Sequence, residues 1–158
     1  MGLFLRVLSF TVLLPCSILA WIPYYWIAGP SRVGAHWPPA ATDALALTLI
    51  AAGAVVYVTC AWRFATEGSG TPAPWDPPRR LVTGGLYRWV RNPMYVGIPV
   101  ALLGEAWWLH SRAMLIYAAF VLAAFHLRVI LYEEPKLREL FGAEFDAYAA
   151  RVKRWGLF

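Results

Sequence analysis

ALALTLIAAGAVVYVTCAW, residues 44–62, runs for nineteen positions without a charge. A helix needs roughly 20 residues to cross a hydrocarbon core about 30 Å thick. This stretch is therefore read as a membrane span, and it sets the solvent for the rest of the chain. Three further stretches have similar character: 5–28, 93–110 and 113–132. The first lies within an uncharged run from Val7 to Ser31, longer than a signal-peptide core, and is expected to be a retained span. The third contains Glu105, and the fourth contains His126 and Arg128. Trp26, Trp62, Trp107 and Trp108 fall at the expected span ends, the level amphipathic rings prefer.

Composition agrees. The 158 residues are 60% hydrophobic and 15% charged, with a mean hydropathy of +0.53, whereas soluble domains carry roughly 25% charged residues. Disorder, a disulfide scaffold and a nucleic-acid partner are poor readings of such a chain. Its net charge of +5 suits anionic lipid headgroups better. Cys16 and Cys60 sit inside apolar runs and form no paired motif. The expected fold is an all-α integral membrane protein of about four transmembrane helices with a C-terminal amphipathic cytoplasmic helix.

Residues 1–158 are expected to form one membrane domain. Its parts are two spans (1–63), a Pro/Gly-rich cytoplasmic connector (64–92), a helical hairpin (93–132) turning at His110-Ser111-Arg112, and an amphipathic tail (133–158). The connector carries Arg63, Arg79, Arg80, Arg88 and Arg91 at or near its ends, and the tail carries Arg151, Lys153 and Arg154. The positive-inside rule places both in the cytoplasm, and four spans then put both termini there. Prolines at 72, 74, 77 and 78 favour an extended, polyproline-like path over 68–78, with 29–42 as the main loop on the far side. Leu137, Leu140, Phe141, Phe145, Tyr148 and Val152 recur at helical spacing between charged residues, predicting a surface helix that bends near Gly142.

The glycine pairs sit in a connector too short for a strand–turn–helix nucleotide unit. His36, His110 and His126 are scattered without metal-ligand spacing, and no metal is expected. What remains is a polar cluster at one end of the hairpin: Tyr87, Arg88, Arg91, Asn92 and Tyr95, facing Arg128, Tyr132, Glu133 and Glu134. Pro93 opens its helix and leaves unbonded N–H groups and a positive dipole end there. A ligand with both an anionic and a cationic group, such as S-adenosyl-L-methionine, would find partners.

LVTGGLYRWVRNPMYVG (81–97) resembles the first signature of the isoprenylcysteine carboxyl methyltransferase and phospholipid methyltransferase superfamily, and YEEPKLRELFGAEFDAYAARVKRW (132–155) resembles its second. GTPAPWDPP, upstream, looks like a segment of bacterial members. The resemblance implies a multi-pass protein, in a bacterial inner membrane, that methylates a membrane-associated amphiphilic acceptor from S-adenosyl-L-methionine. The acceptor would be of the isoprenylcysteine carboxyl or phospholipid amine type. No obligate protein partner is implied. By the same resemblance Arg79, Arg80, Leu81, Val82, Tyr87, Asn92, Pro93, Met94, Tyr95 and Glu133 would line the cofactor. Arg91 or Arg128 would clamp a carboxylate, and Glu134 or His126 would handle a proton. Many relatives carry His where this chain has Asn92. The family arginine that meets substrate lies four residues before the first Glu, whereas Arg128 lies five before Glu133, an offset of about 100° on a helix.

The residues alone leave other roles open. Arg91 also obeys the positive-inside rule, Glu133 and Glu134 also suit a helix start before Pro135, and Tyr87, Tyr95, Trp89 and Trp155 also fit an aromatic belt. Glu105 and His126 also fit partners on neighbouring helices. Two rival functions stand beside methyl transfer: an NADPH-dependent membrane reductase of related architecture, and a non-catalytic membrane scaffold.

Overall fold

The computed structural model describes residues 2–29, 40, 43–71, 73 and 78–156, and every regular element among them is helical. Helix α1 spans Leu3–Leu13 and continues through two wide turns, Ser17–Trp21 and Pro23–Ile27. The second of these turns closes with an i→i+5 bond, Ala28 N donating to Pro23 O at 2.8 Å. Helix α2 is Ala44–Thr66, α3 is Pro93–Trp108 and α4 is Arg112–Arg128. A further wide turn, Val129–Glu133, joins α4 without a break to α5, Glu134–Phe141. Gly142, at φ 51°, ends that run, and α6 covers Ala143–Arg151.

Among the described residues three stretches are long and apolar enough to cross a membrane: Leu5–Ile27, Ala44–Thr66 and Arg112–Phe141. The third expected span, 93–110, is helical but has only 16 residues. Pro93 fixes its start, and a turn at Leu109–Ser111 fixes its end. There Ser111 N donates to Ala106 O at 3.0 Å, and the Ser111 hydroxyl accepts from Met114 N. Arg112 therefore opens α4 rather than belonging to the turn. Glu133 and Glu134 lie where the wide turn runs on into α5, within one continuous helical run. The far-side loop 29–42 falls largely outside the described residues, His36 included, as do residues 72 and 74–77 of the expected polyproline path over 68–78.

Although shortest of the four, α3 is the centre of the bundle, with nine of its residues buried. It lies antiparallel to α2 along small residues. A Cβ on Gly53 would sit 2.4 Å from the Gly97 carbonyl oxygen, and one on Gly104 would sit 2.6 Å from the Ala46 carbonyl oxygen. Backbones meet that closely only where side chains are absent, which is how helices gain packing in lipid, where burial of apolar surface drives little. Thr11 and Tyr57 share a hydroxyl hydrogen bond of 2.8 Å between α1 and α2, and Tyr117 of α4 donates to Ile18 O at 3.2 Å. The start of α1, the end of α2, the start of α3 and the end of α4 thus lie at one end of the bundle.

Candidate active site

At that end the connector and α5–α6 close over the helix tips. Arg63 and Glu67, one turn apart at the end of α2, form an ion pair against the Gly84–Gly85 turn, where a Cβ on Gly84 would lie 2.6 Å from the Glu67 carboxylate. The short helix Gly85–Arg88 then delivers Tyr87 into the core. Its ring meets Phe64 edge-on at 5.8 Å. Burial pushes the Tyr87 phenol well above its ordinary range, so it stays neutral. The Tyr148 hydroxyl of α6 donates to Tyr87 O at 2.7 Å, and burial pushes that phenol up to about 12.

The result is a cavity of roughly 130 Å³. Leu81, Val82 and Tyr87 line it from the connector, Arg91, Asn92, Met94 and Tyr95 from the start of α3, and Arg128, Glu133 and Glu134 from the neighbouring helix. Ten of the thirteen site residues expected from sequence therefore share one cavity. The other three do not line it: Arg79 and Arg80 are exposed just before Leu81, and Pro93 is buried as the first residue of α3. His126 is exposed and accepts the Trp155 indole N–H at 3.1 Å, which also engages a ring expected only in the aromatic belt. Sequence reasoning missed Phe64, Thr71, Ala73 and Pro78 on the connector side. It also missed Lys136, Leu137, Phe145 and Tyr148 on α5 and α6, where the helical apolar stripe was visible but its target was not.

Two ionic groups stand in this mostly apolar space. Arg128 Nε donates to Glu133 Oε1 at 2.7 Å and to the Tyr95 hydroxyl at 3.1 Å, while that hydroxyl donates to Glu133. Residues five apart meet because the intervening wide turn holds one residue more than an α-turn. In the second group Arg91 Nη1 lies 3.0 Å from Glu134 Oε1, and Arg154 grips both Glu134 oxygens at 2.6 and 2.8 Å. The side chains of Arg91 and Glu134 are only 13% and 10% exposed. Arg91 Nε is buried and finds no partner among the described residues. Desolvated donors of this kind are costly unless something satisfies them, so the arrangement suits a ligand carrying an anionic or strongly accepting group.

The comparisons with known proteins agree with this geometry. Residues 41–144, about two thirds of the chain, match the phospholipid methyltransferase family. Among curated proteins the chain is 33% identical over 78 residues to a rice (Oryza sativa subsp. indica) protein named "Probable protein-S-isoprenylcysteine O-methyltransferase", covering 49% of this chain and 41% of that one. It is 36% identical over 73 residues to protein-S-isoprenylcysteine O-methyltransferase B of Arabidopsis thaliana, covering 46% and 37%. It is 35% identical over 72 residues to the Schizosaccharomyces pombe protein-S-isoprenylcysteine O-methyltransferase, covering 46% and 30%. The matched stretch thus spans well under half the length of these relatives. No solved structure matches significantly. The relatives carry methyltransferase names, which does not favour the reductase alternative. With its membrane helices, its two signatures and a match over most of its length, the chain belongs to the phospholipid methyltransferase family.

Proposed function

We propose that this protein transfers a methyl group from S-adenosyl-L-methionine to an amphiphilic acceptor, a lipid or small molecule that reaches the pocket from the bilayer. The observation that carries this reading is the pairing of two ionic groups, Tyr95–Arg128–Glu133 and Arg91–Glu134, inside an otherwise apolar cavity at one end of the bundle. Tyr132 and Leu140 line that cavity and are also exposed, which suits sideways entry of a lipid-like molecule.

The donor carries a carboxylate, an ammonium and a sulfonium, and the pocket offers matching chemistry. Arg91 Nε supplies an unsatisfied donor, Glu133 supplies negative charge, and Leu81, Val82, Met94 and Tyr87 supply apolar walls. When bound, S-adenosyl-L-methionine provides an already electrophilic methyl group. The chain's task is then to hold acceptor and donor in line and to keep water out. Asn92 and Tyr95 would complete the donor site, with Pro93 setting the direction of α3 and Arg79 and Arg80 lying beside it. Arg128, braced by Glu133 and Tyr95, is placed to clamp the acceptor. Glu134 is already held by two guanidinium groups and is a poor proton acceptor. A carboxylate acceptor has no proton to lose, so carboxyl O-methylation fits these residues better than amine N-methylation.

The pocket end carries Arg63, Arg79, Arg80, Arg88, Arg151 and Lys153, and it is assigned to the cytoplasm, with both termini, in a bacterial inner membrane. Calorimetry on detergent-purified protein tests the assignment. S-adenosyl-L-methionine and S-adenosylhomocysteine should bind, and Glu133→Ala and Tyr95→Ala should weaken both. Labelled methyl should pass to a prenylated cysteine in preference to phosphatidylethanolamine. Binding of NADPH alone would move the protein to the reductases, and no binding by folded protein would favour a scaffold.

A further inference from the structure

The chain's last described residues touch the pocket from outside, at three points. Lys153 O accepts from Arg91 N at 2.9 Å, and Arg154 O accepts from the Asn92 side-chain amide at 3.2 Å. The Arg154 guanidinium forks onto Glu134, with Nε on Oε1 at 2.6 Å and Nη2 on Oε2 at 2.8 Å. Trp155 then ties the segment to His126 of α4. Residues more than sixty positions earlier in the chain are thus held in place by the tail.

This arrangement divides the labour around Glu134. Arg154 takes both carboxylate oxygens, and Arg91 shares only Oε1, through Nη1. A bidentate guanidinium fixes the plane of the carboxylate, not merely its position. With that plane fixed, Arg91 is held by one terminal nitrogen, and its Nε stays unpartnered beside the cavity. Without Arg154, Glu134 would be free to turn and take Arg91 through Nε as well, satisfying the donor that is now unpartnered.

Building on the methyltransferase reading, we infer that Arg154 is a positioning residue for the donor site, acting through Glu134 on Arg91. Its side chain lines no part of the cavity and meets Glu134 alone there, so the effect of the guanidinium on a ligand runs through that relay, while its carbonyl holds Asn92 and is kept in every variant.

The experiment is a double-mutant cycle between Arg154→Ala and Glu134→Gln, read by S-adenosylhomocysteine binding to the intact, detergent-purified protein, with Arg154→Lys beside it. Loss of the fork is expected to weaken binding about tenfold, the equivalent of roughly 1.4 kcal/mol, within the range for hydrogen bonds to charged groups. In the Glu134→Gln background the same change should cost less than about twofold, because coupled residues are not additive. Arg154→Lys keeps the charge but not the fork, and should fall between wild type and Arg154→Ala. Arg151→Ala, whose guanidinium bonds only its own helix at Ala147 O, serves as the control and should bind as wild type does. If Arg154→Ala does not stay folded, Arg154→Lys with Glu134→Gln gives the same cycle. Additive losses, or wild-type affinity in the Arg154 variants, would overturn the relay. Absence of binding by the wild-type protein would instead overturn the methyltransferase reading itself.

Discussion

Deleting Leu131 should leave the pocket working. At 3.6 residues per turn each residue adds about 100°, so in an unbroken α-helix residues five apart point about 140° apart. With side-chain heads about 5–6 Å from the axis, that angle alone separates them by about 10 Å. Arg128 Nε and Glu133 Oε1 are 2.7 Å apart, and the wide turn Val129–Glu133 is what brings them together. Removing one residue from the turn lets it close as ordinary α-helix. Arg128 and the same glutamate then stand four apart, about 40° from each other, a spacing at which ion pairs form readily. Leu131 is the residue to remove, because it is 73% exposed and little packing goes with it. The expected result is S-adenosylhomocysteine affinity within about threefold of wild type, measured by calorimetry in detergent. Inserting an alanine after Leu131 instead forces the turn to hold two extra residues, and should cost at least about tenfold. Loss of binding in the folded deletion variant, or normal binding in the insertion variant, would refute the account of how Arg128 and Glu133 meet.

Tyr95→Phe removes the hydroxyl that both Arg128 and Glu133 engage, and should weaken S-adenosylhomocysteine binding by about threefold to tenfold without lowering the thermal unfolding midpoint appreciably. Gly53→Val drives a side chain into the Gly97 carbonyl and should destabilise the α2–α3 pair by about 3 kcal/mol or more, seen as a lower unfolding temperature or loss of a monodisperse species in detergent. Tyr148→Phe orphans the buried Tyr87 carbonyl at a cost of about 1–2 kcal/mol near neutral pH. The Tyr148 phenol is raised by folding, so its contribution is complete below its unfolded value near pH 10 and is lost as pH rises through about 12. The stability gap between wild type and Tyr148→Phe should therefore narrow over that alkaline range. A gap that widened there would contradict the neutral-donor role.

Much of this was legible because apolar runs and charge placement act locally. The uncharged residues 44–62 gave a span, and Asn92-Pro93 gave the start of α3 within one residue. The cavity's ionic members were legible too, since Arg91, Arg128, Glu133 and Glu134 are charges where a membrane chain has reason to avoid them. What stayed hidden depends on contacts between distant segments. Tyr148 reads as one more apolar-face residue until it donates to Tyr87, and Arg154 reads as one more tail cation until it grips Glu134. The wide turn at Val129–Glu133 was visible only as a spacing that did not fit. Helical periodicity has no symbol for an extra residue, so the misfit looked like a misplaced arginine.

The shortness of α3 also sets a depth. Sixteen residues at 1.5 Å each reach about 24 Å, about 6 Å less than a typical hydrocarbon core. Were the turn at His110 to rest at one interface, the Asn92 end would fall about 6 Å short of the other. Neighbouring helices of 23 and 30 residues reach past that level and wall the recess. If the proposed methyl transfer takes place at that end, an amphiphilic acceptor need not be lifted into water to reach it.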